Sequence, residues 1–70
     1  MKQITAVMAG TVLEVLVKIG DQIADGQDVI IIESMKMQLP ITSEQTGKVS
    51  EVKVSSGDFV NEGDTLVVLE

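Results

Sequence analysis

Seventy residues with a formal net charge of −6, and with neither Cys nor His, allow one small domain and exclude a disulfide staple or a Cys/His zinc site. Five lysines and no Arg stand against eleven Asp and Glu, a balance that argues against a binder of nucleic acid or of an anionic membrane. His, Cys, Arg, Tyr and Trp are all missing, which removes most general bases, the best nucleophile and the usual phosphate clamp, so the chain reads as non-catalytic.

Eighteen residues are Val or Ile and only three are Ala, a bias toward strand over helix. In chain order the first clear element is a strand from Val12 to Val17. Its apolar spacing slips from three residues (Val12 to Val15) to two (Val15 to Val17), which predicts a bulge or sharp twist near 13–14. Gly20-Asp21 and Asp25-Gly26 read as turns, and Val29 to Ile32 as a strand. The segment Ser34-Met35-Lys36-Met37-Gln38-Leu39 joins this strand to strand-like Ile41-Thr42 and reads as a hairpin. Pro40 marks an edge or a strand start. Val49 to Val54 is the next strand, with the same slip and a second predicted bulge near 50–51. Ser55 to Asp58 is a turn, Phe59-Val60 a short strand, Glu62-Gly63 a turn and Thr65 to Leu69 the last strand. No segment carries a helical period, a transmembrane run or an opening signal segment, so the expectation is a cytoplasmic protein with no membrane partner.

These elements are written twice. Residues 3–33 align with 40–70 at a constant offset of 37, without a gap and with 11 identities in 31 positions. Gly10 meets Gly47, Glu14 meets Glu51, Gly20-Asp21 meets Gly57-Asp58 and Gly26 meets Gly63. Two copies are too few for a solenoid and predict two half-domains about a pseudo-twofold axis. Segment 34–39 has no counterpart. Shifting Lys36 by 37 in either direction runs off the chain, so its symmetry mate is where the termini lie. Lys36 is therefore expected at the pole opposite Met1 and Glu70.

An exposed lysine at a hairpin tip is by default a solvated charge. The flanking methionines change that reading. Met is usually a core gap-filler, but at a tight tip at least one of Met35 and Met37 is hard to bury. In strand-like geometry the two share one face and Lys36 points to the other. An apolar, adaptable surface beside a free amine suits docking to another protein. The amine is an acyl acceptor that needs a partner enzyme to deprotonate it and bring the acyl group. Asp21 and Asp58 read as turn residues that bond nearby backbone. Lys18 reads as a solvated charge. Glu33 and Glu70 occupy matching positions, so structure explains Glu33 as well as recognition does.

The run Glu33-Ser34-Met35-Lys36-Met37 resembles the Glu-Ala-Met-Lys-Met of the biotinyl/lipoyl attachment domains. Gly10-Thr11-Val12, Val17 to Asp21, Gly26-Gln27, Gly57-Asp58 and Gly63 fit the same family. The resemblance covers essentially residues 1–70 as a single attachment domain. It implies an all-β fold, a flattened barrel or sandwich of two four-stranded antiparallel sheets. It also implies a swinging-arm carrier with biotin amide-linked to Lys36. Glu33, Ser34, Met35 and Met37 would be recognition residues, with no catalytic and no metal-ligating residue. The implied partners are a biotin protein ligase and the biotin carboxylase and carboxyltransferase components of a biotin-dependent carboxylase, the carrier being a monomer in isolation.

The sequence departs from the family in places. Ser34 stands where biotin carriers usually have Ala, and Ser or Thr is frequent there in lipoyl domains. Lipoyl domains continue with Asp-Lys-Ala, whereas Met35 and Met37 give the biotin pattern. The alternatives are thus a lipoyl or dual acceptor served by a lipoyl ligase, and a structural domain with unmodified Lys36. Val7-Met8-Ala9 replaces the proline-containing approach of biotin carriers. The ungapped repeat leaves no room for the thumb loop of some acetyl-CoA carboxylase carriers. The expectation is a carrier without an Ala/Pro-rich tether or a fused catalytic domain.

Overall fold

Val, Ile and Leu, spaced among polar residues in some segments and consecutive over residues 29–32 and 66–69, make short strands, and a computed structural model describing residues 2–70 contains eight of them and, among these residues, no helix. They are β1 (Lys2–Thr5), β2 (Gly10–Val15), β3 (Gln22–Ile23), β4 (Asp28–Ser34), β5 (Met37–Thr42), β6 (Gly47–Val52), β7 (Phe59–Val60) and β8 (Thr65–Leu69). Two four-stranded antiparallel sheets result, in the orders β1-β8-β6-β3 and β5-β4-β2-β7. The offset of 37 residues carries the first order onto the second, strand by strand.

The hydrogen bonds repeat at the same offset. The Gly20 N–H donates to Val49 O at 2.9 Å and the Gly57 N–H to Val12 O at 2.7 Å. The Val49 N–H donates to Asp21 O at 2.8 Å, and the Val12 N–H to Asp58 O at 2.7 Å. Each half thus lays its glycine turn across the middle strand of the other half, and neither half closes its backbone alone. The Asp21 carboxylate accepts from the Lys18 N–H at 3.0 Å, and that of Asp58 from the Ser55 N–H at 2.8 Å. Both aspartates are the local turn residues their position after Gly predicts.

The register shifts between Val12 and Glu14 and again between Val49 and Glu51. Leu13 and Ser50 are the extra residues, where the apolar spacing slips. The strands themselves are displaced from their predicted bounds. β2 runs from Gly10 to Val15, not Val12 to Val17, and β6 from Gly47 to Val52, not Val49 to Val54. After Val15 the chain makes one more sheet bond, Leu16 N–H to Val29 O at 2.9 Å, and then leaves to reach the opposite sheet. Val17 stays buried because it packs between the layers during that crossing.

The core lies between the sheets and is symmetric. The pairs Ile4/Ile41, Val12/Val49, Ile23/Val60, Val29/Leu66, Ile30/Val67 and Ile32/Leu69 are all buried. The mate of buried Ala6 is Ser43, a buried polar residue whose Oγ donates to Gln45 O and accepts from the Gln45 N–H. Its hydroxyl is therefore satisfied locally.

Gly20 and Gly57 both have φ of +96°, and a Cβ at either would meet nothing within 4 Å. The whole penalty of a side chain there is the left-handed backbone. Gly20→Ala and Gly57→Ala are each expected to lower stability by roughly 1 kcal/mol. Urea unfolding of both variants checks this. Unequal losses would show that the two turns are not equivalent.

Candidate functional site

The site is built on the β4–β5 hairpin. Ile30 and Ile32 on β4 and Ile41 on β5 are buried and hold the hairpin against the other sheet. Pairing runs without interruption from Ile30↔Ile41 to Ser34↔Met37. That register leaves two residues, Met35 and Lys36, to reverse the chain. Both have positive φ, 54° and 64°, the signature of a type I′ turn. Such turns favour Asn-Gly, and non-glycine residues in this region are disfavoured by about 1–2 kcal/mol each. The turn is therefore strained relative to its sequence, and the long paired hairpin beneath it holds the strain.

This corrects the strand-like reading of the tip. Met35 and Met37 do not share a strand face with Lys36 opposite. Met35 lies in the turn, whereas Met37 opens β5 opposite Ser34. The reason is register, since a two-residue reversal leaves no strand geometry at Met35. Both methionines are nevertheless exposed, at 92% and 60%. Pro40 sits within β5 rather than at its start, opposite Ile31, and is accommodated because β5 is an edge strand.

The hairpin gathers Glu33, Ser34, Met35, Lys36 and Met37 but divides them between faces. Glu33 is exposed and lies in a cross-strand row with Gln38 and Thr11. Ser34, two residues past buried Ile32, is half-buried on the inner side. Among the described residues, no hydrogen bond or ion pair engages the Lys36 amine. By contrast, Lys2 donates to Thr46 O at 2.6 Å and Lys53 pairs with Glu51 at 2.9 Å. Lys18, expected as a solvated charge, is exposed beside the Asp21 turn.

The hydrogen-bond path places Glu70 away from this tip. β2 leaves its sheet at Val15, the end remote from the Glu33–Thr11 pair. The crossing chain meets Val49, which pairs with Leu69, and the Glu70 N–H bonds Lys48 O at 2.8 Å. Met1, named with Glu70 in the sequence expectation, lies outside the described residues.

Two features of the site are harder to read from the chain. A Cβ on Gly10 would stand 2.6 Å from Glu33 O, so β2 reaches the base of the hairpin only because residue 10 is glycine. The matching approach at Gly47 is looser, 3.1 Å from Glu70 O. Phe59 pairs with Thr11 beside Glu33 and is 64% exposed. Its signal in the sequence is that the twofold-related residue is Gln22. Gly10→Ala is expected to destabilise the protein more than Gly47→Ala, because backbone must shift to relieve the contact. Paired unfolding curves decide it.

The tip thus presents an exposed amine, without a partner among the described residues, on a continuously paired hairpin. The description "biotin-requiring enzyme" belongs to the family model that matches residues 2–69. The biotin/lipoyl attachment protein of Bacillus subtilis (strain 168) is 55% identical over 38 residues, which are 54% of this chain and 52% of that protein. The biotinylated protein TB7.3 of Mycobacterium tuberculosis (strain H37Rv) is 45% identical over 40 residues, 57% of this chain and 56% of that one. The chain thus spans about half the length of the curated relatives it matches. Among solved structures, the urea carboxylase of Kluyveromyces lactis superposes with a TM-score of 0.91 at 29% identity, covering 99% of this chain and 6% of that one. A single-chain, multi-domain long-chain acyl-CoA carboxylase superposes with a TM-score of 0.86 at 32% identity, covering 94% and 6%.

Proposed function

We propose, from the premise that this chain belongs to the biotin/lipoyl attachment domain family, that residues 1–70 act as a carrier with biotin joined to the Lys36 amine. The observation that carries this reading is the tip itself. Lys36 sits at the second position of a strained two-residue turn, with its amine unengaged among the described residues and an exposed methionine on each side.

The chain's own part in loading is nucleophilic. The Lys36 Nζ, once deprotonated by a base of the ligase, attacks the carbonyl carbon of an acyl-adenylate that the ligase presents. The N–C bond of an amide forms, the C–O bond to the phosphate breaks, and AMP leaves. The hairpin holds Nζ clear of the protein body during this step. Glu33, Ser34, Met35 and Met37 present the surface that the ligase reads. Biotin, when attached, supplies a ring nitrogen that takes up and releases a carboxyl group. Afterwards the same hairpin acts as the fixed base of a flexible arm serving biotin carboxylase and carboxyltransferase components.

A second reading has one residue in its favour. Ser34 is lipoyl-like, and lipoate on the same lysine would make the chain an acyl carrier. Intact mass of the protein purified from cells separates the readings. One biotinyl increment supports the first, one lipoyl increment replaces it with the second, and an unmodified mass removes both.

Met35→Asp makes the Ser-Asp-Lys order of lipoyl domains. Asp tolerates positive φ, so the turn is expected to survive. Biotinylation by a biotin ligase should fall about tenfold or more in kcat/KM, a loss of ~1.4 kcal/mol of transition-state stabilisation. Unchanged kinetics would mean that the ligase reads the fold and not residue 35.

A further inference from the structure

The core obeys the twofold axis, but the two outer faces do not. The strands of the β1-β8-β6-β3 sheet carry Lys2, Lys48 and Glu51, a formal charge of +1. Those of the β5-β4-β2-β7 sheet carry Glu14, Asp28 and Glu33 and no lysine, a formal −3. Apolar exposure follows the same division. A groove of about 400 Å³ on the acidic face is lined by Leu13, Glu14, Asp28, Ile31, Gln38 and Pro40. The twofold mates of Leu13, Ile31 and Pro40 are Ser50, Val68 and Gln3, of which Val68 is buried. Folding explains the shared core, but it requires neither an open apolar floor nor an uncompensated acidic rim on one sheet alone.

The groove lies on the strands that carry Lys36. Gln38 and Pro40 follow it by two and four residues on β5, so at 3.4 Å per residue the groove opens about 7 Å below the turn and its apolar floor begins about 14 Å below it. Any partner that acts at the end of a long arm can stay away from the protein body. The enzyme that acylates the bare lysine cannot, because a lysine side chain reaches only about 6 Å. It must cover the tip and the sheet just beneath.

We propose that the outer face of the β5-β4-β2-β7 sheet is the docking face for the ligase that loads Lys36, and that the ligase meets it with an apolar ridge set among Lys or Arg side chains. This rests on the carrier reading. The apolar ridge fills the Leu13–Ile31–Pro40 floor, while the basic rim faces Glu14 and Asp28, two exposed carboxylates with no cation on their sheet.

The other half supplies the control: Glu51 is the twofold mate of Glu14, and Glu70 stands in for Asp28, whose own mate is the uncharged Thr65. Glu14→Lys/Asp28→Lys changes the docking face, and Glu51→Lys/Glu70→Lys changes the other half by the same net charge. Both proteins are titrated as acceptors against a purified biotin protein ligase with ATP and biotin, after thermal unfolding shows both folded. The Glu14→Lys/Asp28→Lys protein should show an acceptor KM raised about tenfold at low salt with kcat retained, the difference shrinking in 0.5 M salt. The Glu51→Lys/Glu70→Lys protein should stay within about twofold of the parent. Leu13→Ser, which removes part of the floor, should raise KM at both salt concentrations. Equal shifts in the two double variants, or none in either, overturn the docking face while leaving the carrier reading intact. A parent chain that the ligase does not label overturns the carrier reading and the docking proposal together.

Discussion

Lys36→Arg is expected to abolish attachment completely while leaving the fold unchanged. The guanidinium keeps the positive charge and the exposure but is always protonated and is a poor acyl acceptor. Residue 36 is exposed, and the turn holds it by backbone pairing rather than through its amine, so stability should stay within about 0.5 kcal/mol of the parent. Streptavidin blotting and intact mass should both report unmodified protein, as they should for Lys36→Ala. Of the other lysines, Lys2 is held by Thr46 O and Lys53 by Glu51, while Lys18 lies at the foot of the Asp21 turn. A surviving signal would move the attachment to one of these or to Lys48, and would remove the reason for placing function at the tip.

The largest effect on stability is expected from Ile32→Ala. Ile32 has no exposed surface, packs between the sheets, and lies three residues before the turn. Truncating a fully buried Ile leaves a cavity and is expected to lower stability by about 2–5 kcal/mol. A 70-residue domain has only about 4–10 kcal/mol in total, at 0.05–0.15 kcal/mol per residue. The variant should therefore be partly unfolded at 37 °C. Its twofold mate, Leu69→Ala, should lose a similar amount by thermal or urea unfolding. The two differ in where the damage falls. Ile32 supports the strained turn, so amide exchange near Met35 and Lys36 should accelerate more in Ile32→Ala than in Leu69→Ala. Equal exchange at the turn in both would show that the hairpin is stiffened by its own pairing, independent of the core beneath it.

Much of this architecture is legible in the chain because it depends on local patterns repeated at one spacing. The slip in apolar spacing at Val12, Val15 and Val17 marks the bulge at Leu13, and the same slip marks Ser50. Gly20-Asp21 and Gly57-Asp58 announce turns of one geometry, with the same φ of +96°. The strand ends are less legible. Val17 and Val54 belong to the apolar pattern yet lie outside β2 and β6, because burial does not distinguish a residue paired in a sheet from one crossing between sheets. Phe59 is the reverse case. Its aromatic side chain suggests core, but pairing with Thr11 turns it outward beside Glu33.

By itself the sequence determined the repeat, the two bulges, the turn glycines and the absence of a symmetry mate for Lys36. Each of these is a matter of residue type and spacing, and local sterics enforce them. Only the tertiary structure decided that Met35 and Lys36 take left-handed conformations. Nothing in Met-Lys favours positive φ, and it is the nonlocal Ser34↔Met37 register, extended down to Ile30↔Ile41, that imposes it. The same holds for the two outer faces. Whether Ile31 floors an open groove while Val68 is covered depends on which strands lie beside them, and that is settled when the two halves pair across the axis.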